Sequence, residues 1–193
     1  MGQRSANSLP PVTYNTGNMP SIAKPLPPLE FLQELFYVSE TSPSGLRWKN
    51  PRSKKIKSGD VAGSKNSNGY WNLNIKTDKV RYYKVHRIVF YLKTSQDPGT
   101  KYVDHINGVG DPLNLRLATH SENHYNRGNK SNSKSTYKGV CWDKTCHKWY
   151  ARIFKNKKRI HLGYFDSEKD AAGVYNEIAI KLFGEFARLN IIN

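Results

Sequence analysis

Ten consecutive residues, "NRGNKSNSKS" from Asn126 to Ser135, carry no apolar side chain. Such a stretch cannot cross a hydrophobic core, so it divides the chain into two parts that each bury their own apolar residues. With 193 residues in all, 37% of them hydrophobic, each part has room for only a small core. The organisation expected is an arm over 1–28, a domain over 29–126, a linker over 127–135 and a second domain over 136–190. The arm is rich in Pro, Ser and Asn without apolar periodicity, and it is expected to be disordered.

Before the linker, "LEFLQELFYV" spaces Leu29, Leu32, Leu35 and Phe36 for a short helix. "GLRWK", "GDVAGS", "GYWNLNIK" and "VRYYKVH" alternate apolar residues between Gly, Asn and Asp, as short strands do. "KVHRIVFYL" reads as a helix, "KYV" as a strand, "INGVGDP" as a loop and "NLRLA" as a second strand. Thr119 then opens a helix with Glu122 three residues on, a capping box. Beyond the linker, "YKGVCWD", "KWYARIFK" and "KRIHLGYF" predict three strands. Ser167 and Asp170 open a helix with Ala171, Ala172, Tyr175, Ile178, Ala179 and Leu182 on its apolar face, and Gly184 stops it. The fold class expected is α+β.

Charge narrows the partners. Lys and Arg number 31 against 15 acids, for a formal charge of +16 and a pI near 9.8. Residues 46–101 carry 14 basic against 3 acidic side chains, and residues 134–190 carry 12 against 6. Clustered cations gain affinity for phosphates by releasing counterions, so nucleic acid is the simplest partner. No apolar run approaches the roughly 18 residues of a membrane span. No secretory signal opens the chain, and "MGQRSA" has Ala6 where a myristoylation signal needs Ser or Thr. Cys141 and Cys146 read as incidental thiols of a reducing compartment. The expectation is an intracellular protein with no membrane partner and no obligatory protein partner.

The segment "YVDHINGVGDPLNLRLATHSENHYN" suggests chemistry. An Asp–His pair or an Asn–Gly turn alone is ordinary structure. Here Asp104 and His105 end one strand, Asn114 starts the next, and Asn123 sits in the first turn of a capped helix. Asp104 and Asn123 would offer oxygens to a Mg²⁺-type cation, which keeps several waters. An imidazole titrates near neutrality, about 6.5, which suits His105 to take a proton from an attacking water. Asn114 suits orientation of the loop or the imidazole.

"VHRIV", "VDHINGVGDPLNLRLAT" and "SENHYN" resemble, in order and spacing, the HNH homing-endonuclease type of ββα-metal nuclease over about residues 30–127. The resemblance implies Asp104 and Asn123 as metal ligands, His105 as general base and Asn114 as the orienting asparagine, with Mg²⁺ or another divalent cation such as Mn²⁺. The final position of the motif is Asn123 rather than His, a variation found in that family. Leu113 stands where the family often has an acid. His86 belongs to the upstream part of the pattern, as a catalytic or a packing residue, and Arg87 as a phosphate contact. His120 and His124 flank Asn123 and are expected to face solvent or phosphate.

In the second domain, alternation puts Trp149, Ala151 and Ile153 on one sheet face with Ile160 and Leu162, packed on the helix. Tyr150, Arg152 and Phe154 join Arg159 and His161 on the open face, of a size a major groove accepts. "YKGVCWD", "KWYARI" and "RIHLGYFDSEKDAAGVYNEIAIKLFGEFARLN" resemble the AP2/ERF type of DNA-binding domain. By matching positions the resemblance implies Lys138, Arg152, Arg159 and His161 as DNA contacts, with Trp142 and Tyr150 nearby. Cys141, Asp143 and His161 depart from plant members, so plant sequence preference does not transfer.

Together these features predict a metal-dependent DNA endonuclease of phage or mobile-element type, nicking double-stranded DNA that the second domain positions. The alternatives are a DNA-binding transcriptional regulator with an inactive nuclease module, or an RNA-binding accessory protein, which would leave the Asp–His–Asn set idle.

Overall fold

A computed structural model describes residues 24–77, 80–108, 110–128 and 134–192. Most of the expected arm (1–23) and the middle of the expected linker (129–133) lie outside the described residues. The architecture is α+β, built from small antiparallel sheets and short helices.

The N-terminal part opens with α1 (Leu29–Leu35). The helix expected through Val38 ends early, because Phe36–Val38 forms β1 and pairs with β2 (Leu46–Trp48), Phe36 opposite Trp48. That pairing buries Phe36 against the Trp48 ring, with centroids 4.6 Å apart. The strand expected over "GDVAGS" reduces to a single bridge at Val61 and the two-residue β3 (Ser64–Lys65). β3 pairs with β4 (Trp71–Lys76), which pairs with β5 (Val80–Lys84).

Helix α2 (Val85–Thr94) leaves β5 without a break, and its spacing of Val85, Ile88 and Val89 is that of one buried helical face. These residues join Leu32, Leu35, Phe36, Leu46, Leu73, Ile75 and Tyr83 in one core. The hairpin of β6 (Tyr102–His105) and β7 (Leu115–Ala118) is seated on that core by Leu113 and Leu115. Helix α3 (His120–Tyr125) follows at once, its capping box complete in both directions. Thr119 Oγ1 accepts from the Glu122 amide at 3.3 Å, and Glu122 accepts from the Thr119 amide at 2.7 Å.

In the C-terminal part, β8 (Val140–Asp143), β9 (Lys148–Lys155) and β10 (Lys158–Phe165) form a meander with β9 in the centre. Asn156 and Lys157, both at positive φ, make the two-residue turn between β9 and β10. Helix α4 (Glu168–Phe183) lays Ala171, Ala172, Tyr175, Ala179 and Phe183 on the sheet. The Ser167 hydroxyl accepts from the Asp170 amide at 3.3 Å, the serine half of a capping box. Three alanines let the helix approach closely. At Gly139 the approach is closer still, because a Cβ there would lie 2.2 Å from the Tyr175 ring.

Both parts touch. Tyr125 of α3 stacks on Phe183 of α4, centroids 3.9 Å apart, and packs into the core of Ile153, Tyr175 and Ala179. A 3-10 turn (Gly184–Phe186) continues from α4 and lies against the β6–β7 hairpin.

Candidate active site

Antiparallel register sets Asp104 opposite Arg116 and His105 opposite Leu115. Directly paired residues share a sheet face and neighbours in a strand alternate, so Asp104 and His105 look to opposite sides of the hairpin. Asp104 is buried, and its Oδ2 accepts from Arg116 Nε and Nη2, both at 3.1 Å. The same oxygen accepts from Asn126 Nδ2 at 2.9 Å. Among the described residues Oδ1 makes no hydrogen bond, and it is not sealed from solvent.

His105 is fixed from the other side. Its Nδ1 lies 3.1 Å from the carbonyl oxygen of Asp111. A carbonyl only accepts, so Nδ1 carries the proton and the Nε2 lone pair is left available. The Asp111 carboxylate accepts from the amides of Leu113 and Asn114 at 3.1 and 3.2 Å, an Asx turn that closes the loop. Asn114 enters through its backbone, its carbonyl accepting the Ile106 amide at 3.0 Å. The imidazole is thus held by Asp111, and Asn114 closes the hairpin below it.

Around the His105 ring stand His86, edge-on with centroids 5.0 Å apart, and Tyr70 at 6.0 Å. Burial, reinforced by the charges of His105, Arg87 and Lys84, pushes the His86 pKa down to about 3. His86 is therefore neutral and places no positive charge beside His105. Arg87, expected on phosphate, is buried instead and donates to the carbonyls of Lys101 and Gly99 at 2.8 and 2.7 Å. Those bonds tie α2 to the start of β6, and burial lowers the pKa of the guanidinium.

Asn123 sits three residues before Asn126, on the same side of α3. Its side-chain amide makes no hydrogen bond among the described residues. Among them no group of three or more His, Cys, Asp or Glu side chains that could hold a metal occurs. The oxygens on offer are the free Oδ1 of Asp104 and the amide oxygen of Asn123. One carboxylate and one amide fit a hard cation that keeps most of its waters, and would fit zinc poorly. His120 and His124 stack on each other at 6.4 Å along the outside of α3.

The open face of the C-terminal sheet is the second candidate surface. Register puts Arg152 opposite His161, Tyr150 opposite Tyr164 and Phe154 opposite Arg159. Arg152 lies 5.9 Å from the Tyr150 ring and 5.8 Å from the Phe154 ring. Tyr164 joins this face through a bulge between His161 and Gly163, which shifts register and sends Phe165 to the helix side opposite Trp149. Ile160, expected in the helix-side core, is 39% exposed at the sheet corner.

Two residues expected at this surface lie elsewhere. Trp142 pairs with Trp149, ring centroids 5.1 Å apart, which places it on the helix side. Lys138 donates from Nζ to the Tyr125 carbonyl, and its amide donates to Asn190 at 2.6 Å. It joins the two parts of the chain, and burial with Arg188 nearby lowers its pKa to about 8. Asp111, Arg116, Asn126 and Tyr70 were not among the residues expected at the site. Only the spacing of Asn126 from Asn123 and the Asp–Pro turn at Asp111 carried a signal for them.

No protein-family model matches the chain. Over 114 residues, 57% of the chain, it is 34% identical to an uncharacterized HNH endonuclease of Acanthamoeba polyphaga mimivirus. It is 31% identical to protein 3.8 of Escherichia phage T7, covering 93% of that protein and 56% of this chain. The chain belongs to the protein 3.8 family. A third relative of this family member is the dehydration-responsive element-binding protein 2D of Arabidopsis thaliana, 40% identical over 67 residues, 34% of the chain. The chain spans 58% of the mimivirus protein and 32% of the plant protein. Among the described residues, no helix is long and apolar enough to cross a membrane.

Proposed function

We propose that this chain is a divalent-metal-dependent DNA endonuclease of the ββα-metal HNH type, with an AP2/ERF-like C-terminal domain that binds and positions double-stranded DNA. The observation that carries this reading is the hairpin end. There an Asp104 carboxylate is anchored through one oxygen with the other free, and His105 has its Nδ1 committed to a carbonyl. The naming of the mimivirus relative as an HNH endonuclease, and of the plant relative as an element-binding protein, supports it.

Asp104 Oδ1 and the Asn123 amide oxygen would hold Mg²⁺ or Mn²⁺. When bound, the cation supplies charge neutralisation at the scissile phosphate and the departing 3′ oxygen. His105 Nε2 takes the proton of the attacking water, and Asp111 keeps the ring in the tautomer that permits it. Neutral His86 and Tyr70 wall the ring and hold its plane. On the C-terminal sheet Arg152, Arg159 and His161, with Tyr150 and Tyr164, contact DNA. One such centre cuts one strand, so the product expected from a monomer is a nick.

The test is incubation of supercoiled plasmid carrying DNA selected by the protein's own binding, with Mg²⁺ and with EDTA. Relaxed circles that form only with the metal support the reading. Intact supercoils in both, with tight DNA binding retained, would move the assignment to a DNA-binding regulator.

A further inference from the structure

Arg116 makes contacts on two sides. Toward the hairpin, Nε and Nη2 both reach Asp104 Oδ2 at 3.1 Å. Away from it, Nη1 donates to the carbonyl of Glu185 at 2.6 Å and lies 3.7 Å from the Glu185 carboxylate. The Phe186 ring covers the guanidinium at 4.0 Å from its centroid. The Arg116 side chain is 11% exposed. Its three nitrogens and one flat face are therefore occupied, half by a residue of β6 and half by the 3-10 turn that follows α4.

We infer that Arg116 is a positioning residue through which the turn Gly184–Phe186 holds the Asp104 carboxylate for the cation, so that the C-terminal part completes the cleavage site as well as gripping DNA. The inference rests on the nuclease reading above. A planar fork is suited to this task, because binding Glu185 and Phe186 fixes the plane in which Nε and Nη2 meet Asp104. Without the turn, Nη1 and the ring-facing side would open to water, and the arginine would be free to leave a buried carboxylate. Asn126 would remain as the other donor to Asp104 Oδ2, from a single nitrogen. Orientation then passes to Oδ1, since both oxygens turn together about one bond. Outer partners of a ligating carboxylate act in this way on metal affinity.

A guanidinium beside the carboxylate also repels a cation, and if repulsion dominated, removing Arg116 or loosening it would tighten metal binding.

The experiment uses the full chain without DNA and titrates Mn²⁺, following the free-ion EPR signal, for the wild type, Phe186→Ala, Phe186→Tyr and Arg116→Lys. Arg116→Lys keeps the charge but replaces the planar fork with a single nitrogen, and is expected to weaken Mn²⁺ binding by about 10- to 100-fold. Phe186→Ala is expected to weaken it by about two- to fivefold, the worth of one partly exposed cation–π contact, with Phe186→Tyr restoring it. DNA affinity measured in EDTA should stay at the wild-type value in all of them, which a collapsed C-terminal part would not allow. Mn²⁺ affinity unchanged or tighter in both Phe186→Ala and Arg116→Lys overturns the inference while leaving the nuclease reading intact. A wild type that binds no Mn²⁺ and cuts no DNA removes both.

Discussion

The hairpin end and the open sheet face are both polar, and they are built in opposite ways. At the hairpin the Asp104 side chain is 7% exposed and one of its oxygens receives three donors. On the open face Phe154 is 51% and Tyr164 49% exposed, and the aromatic rings touch one another at 4.9 to 6.0 Å. A group that must act on one atom gains from being locked before substrate arrives. A surface that meets a long, wet polyanion gains from side chains that adjust to it. The difference between locked and adjustable separates the proposed cutting site from the proposed DNA surface.

The sharpest way to break that division is at His105. His105→Ala is expected to lower the nicking rate by about 10²- to 10⁴-fold with DNA affinity in EDTA unchanged. Loss of affinity in a filter-binding assay would mean the two surfaces are not separate. Next comes Asn126, whose amide donates to Asp104 Oδ2 and to the His105 carbonyl, both at 2.9 Å. Asn126→Ala should cut the nicking rate by about 10- to 100-fold. It should also destabilise the fold by about 1–3 kcal/mol in urea melts, because buried acceptors lose their donor. On the other surface, Arg152→Ala and Arg159→Ala should each weaken DNA binding by about 1–3 kcal/mol where they read a base. Either change should flatten the salt dependence of binding, with the rate on saturating DNA preserved.

The smallest expected effect is a pH dependence at His86. Its folded pKa of about 3 lies below the 6.5 of the unfolded chain. Below pH 6.5 the unfolded chain binds a proton that the folded chain refuses. The His86 contribution is therefore fully present above pH 6.5 and is lost progressively as pH falls toward 3. Between pH 7 and pH 5 the loss amounts to about 1–2 kcal/mol. Urea midpoints for the wild type should fall over this range more steeply than those of His86→Gln, and equal slopes would assign the effect elsewhere.

How much of this was legible in the sequence depended on the range of the interaction. The capping box of Thr119 and Glu122, the strands on either side of "INGVGDP" and the small-residue face of α4 are local patterns, and each formed where expected. The early end of α1 was not legible, because "FYV" continues a helical pattern and only pairing with "LRW" turns it into a strand. The bulge in β10 reversed the faces of Tyr164 and Phe165, and Gly163, at a φ of 125°, was its only mark in the sequence. Arg87 and Lys138 resembled phosphate-binding cations until the fold supplied carbonyls for them. At the site itself, Asp104 and His105 stood out as a pair, whereas Arg116 joins Asp104 across a strand register that no local rule fixes.

The contact between Arg116 and Glu185 spans 69 positions of the chain. At typical synthesis rates those positions take roughly 3–14 s to emerge from the ribosome. The β6–β7 hairpin is thus exposed for that interval with Arg116 supported on one side only. A cell making this protein meets the half that carries Asp104 and His105 first, and the half that steadies Arg116 seconds later. The contact thereby imposes an order in time on a growing chain, with the proposed cutting centre among the last features to settle.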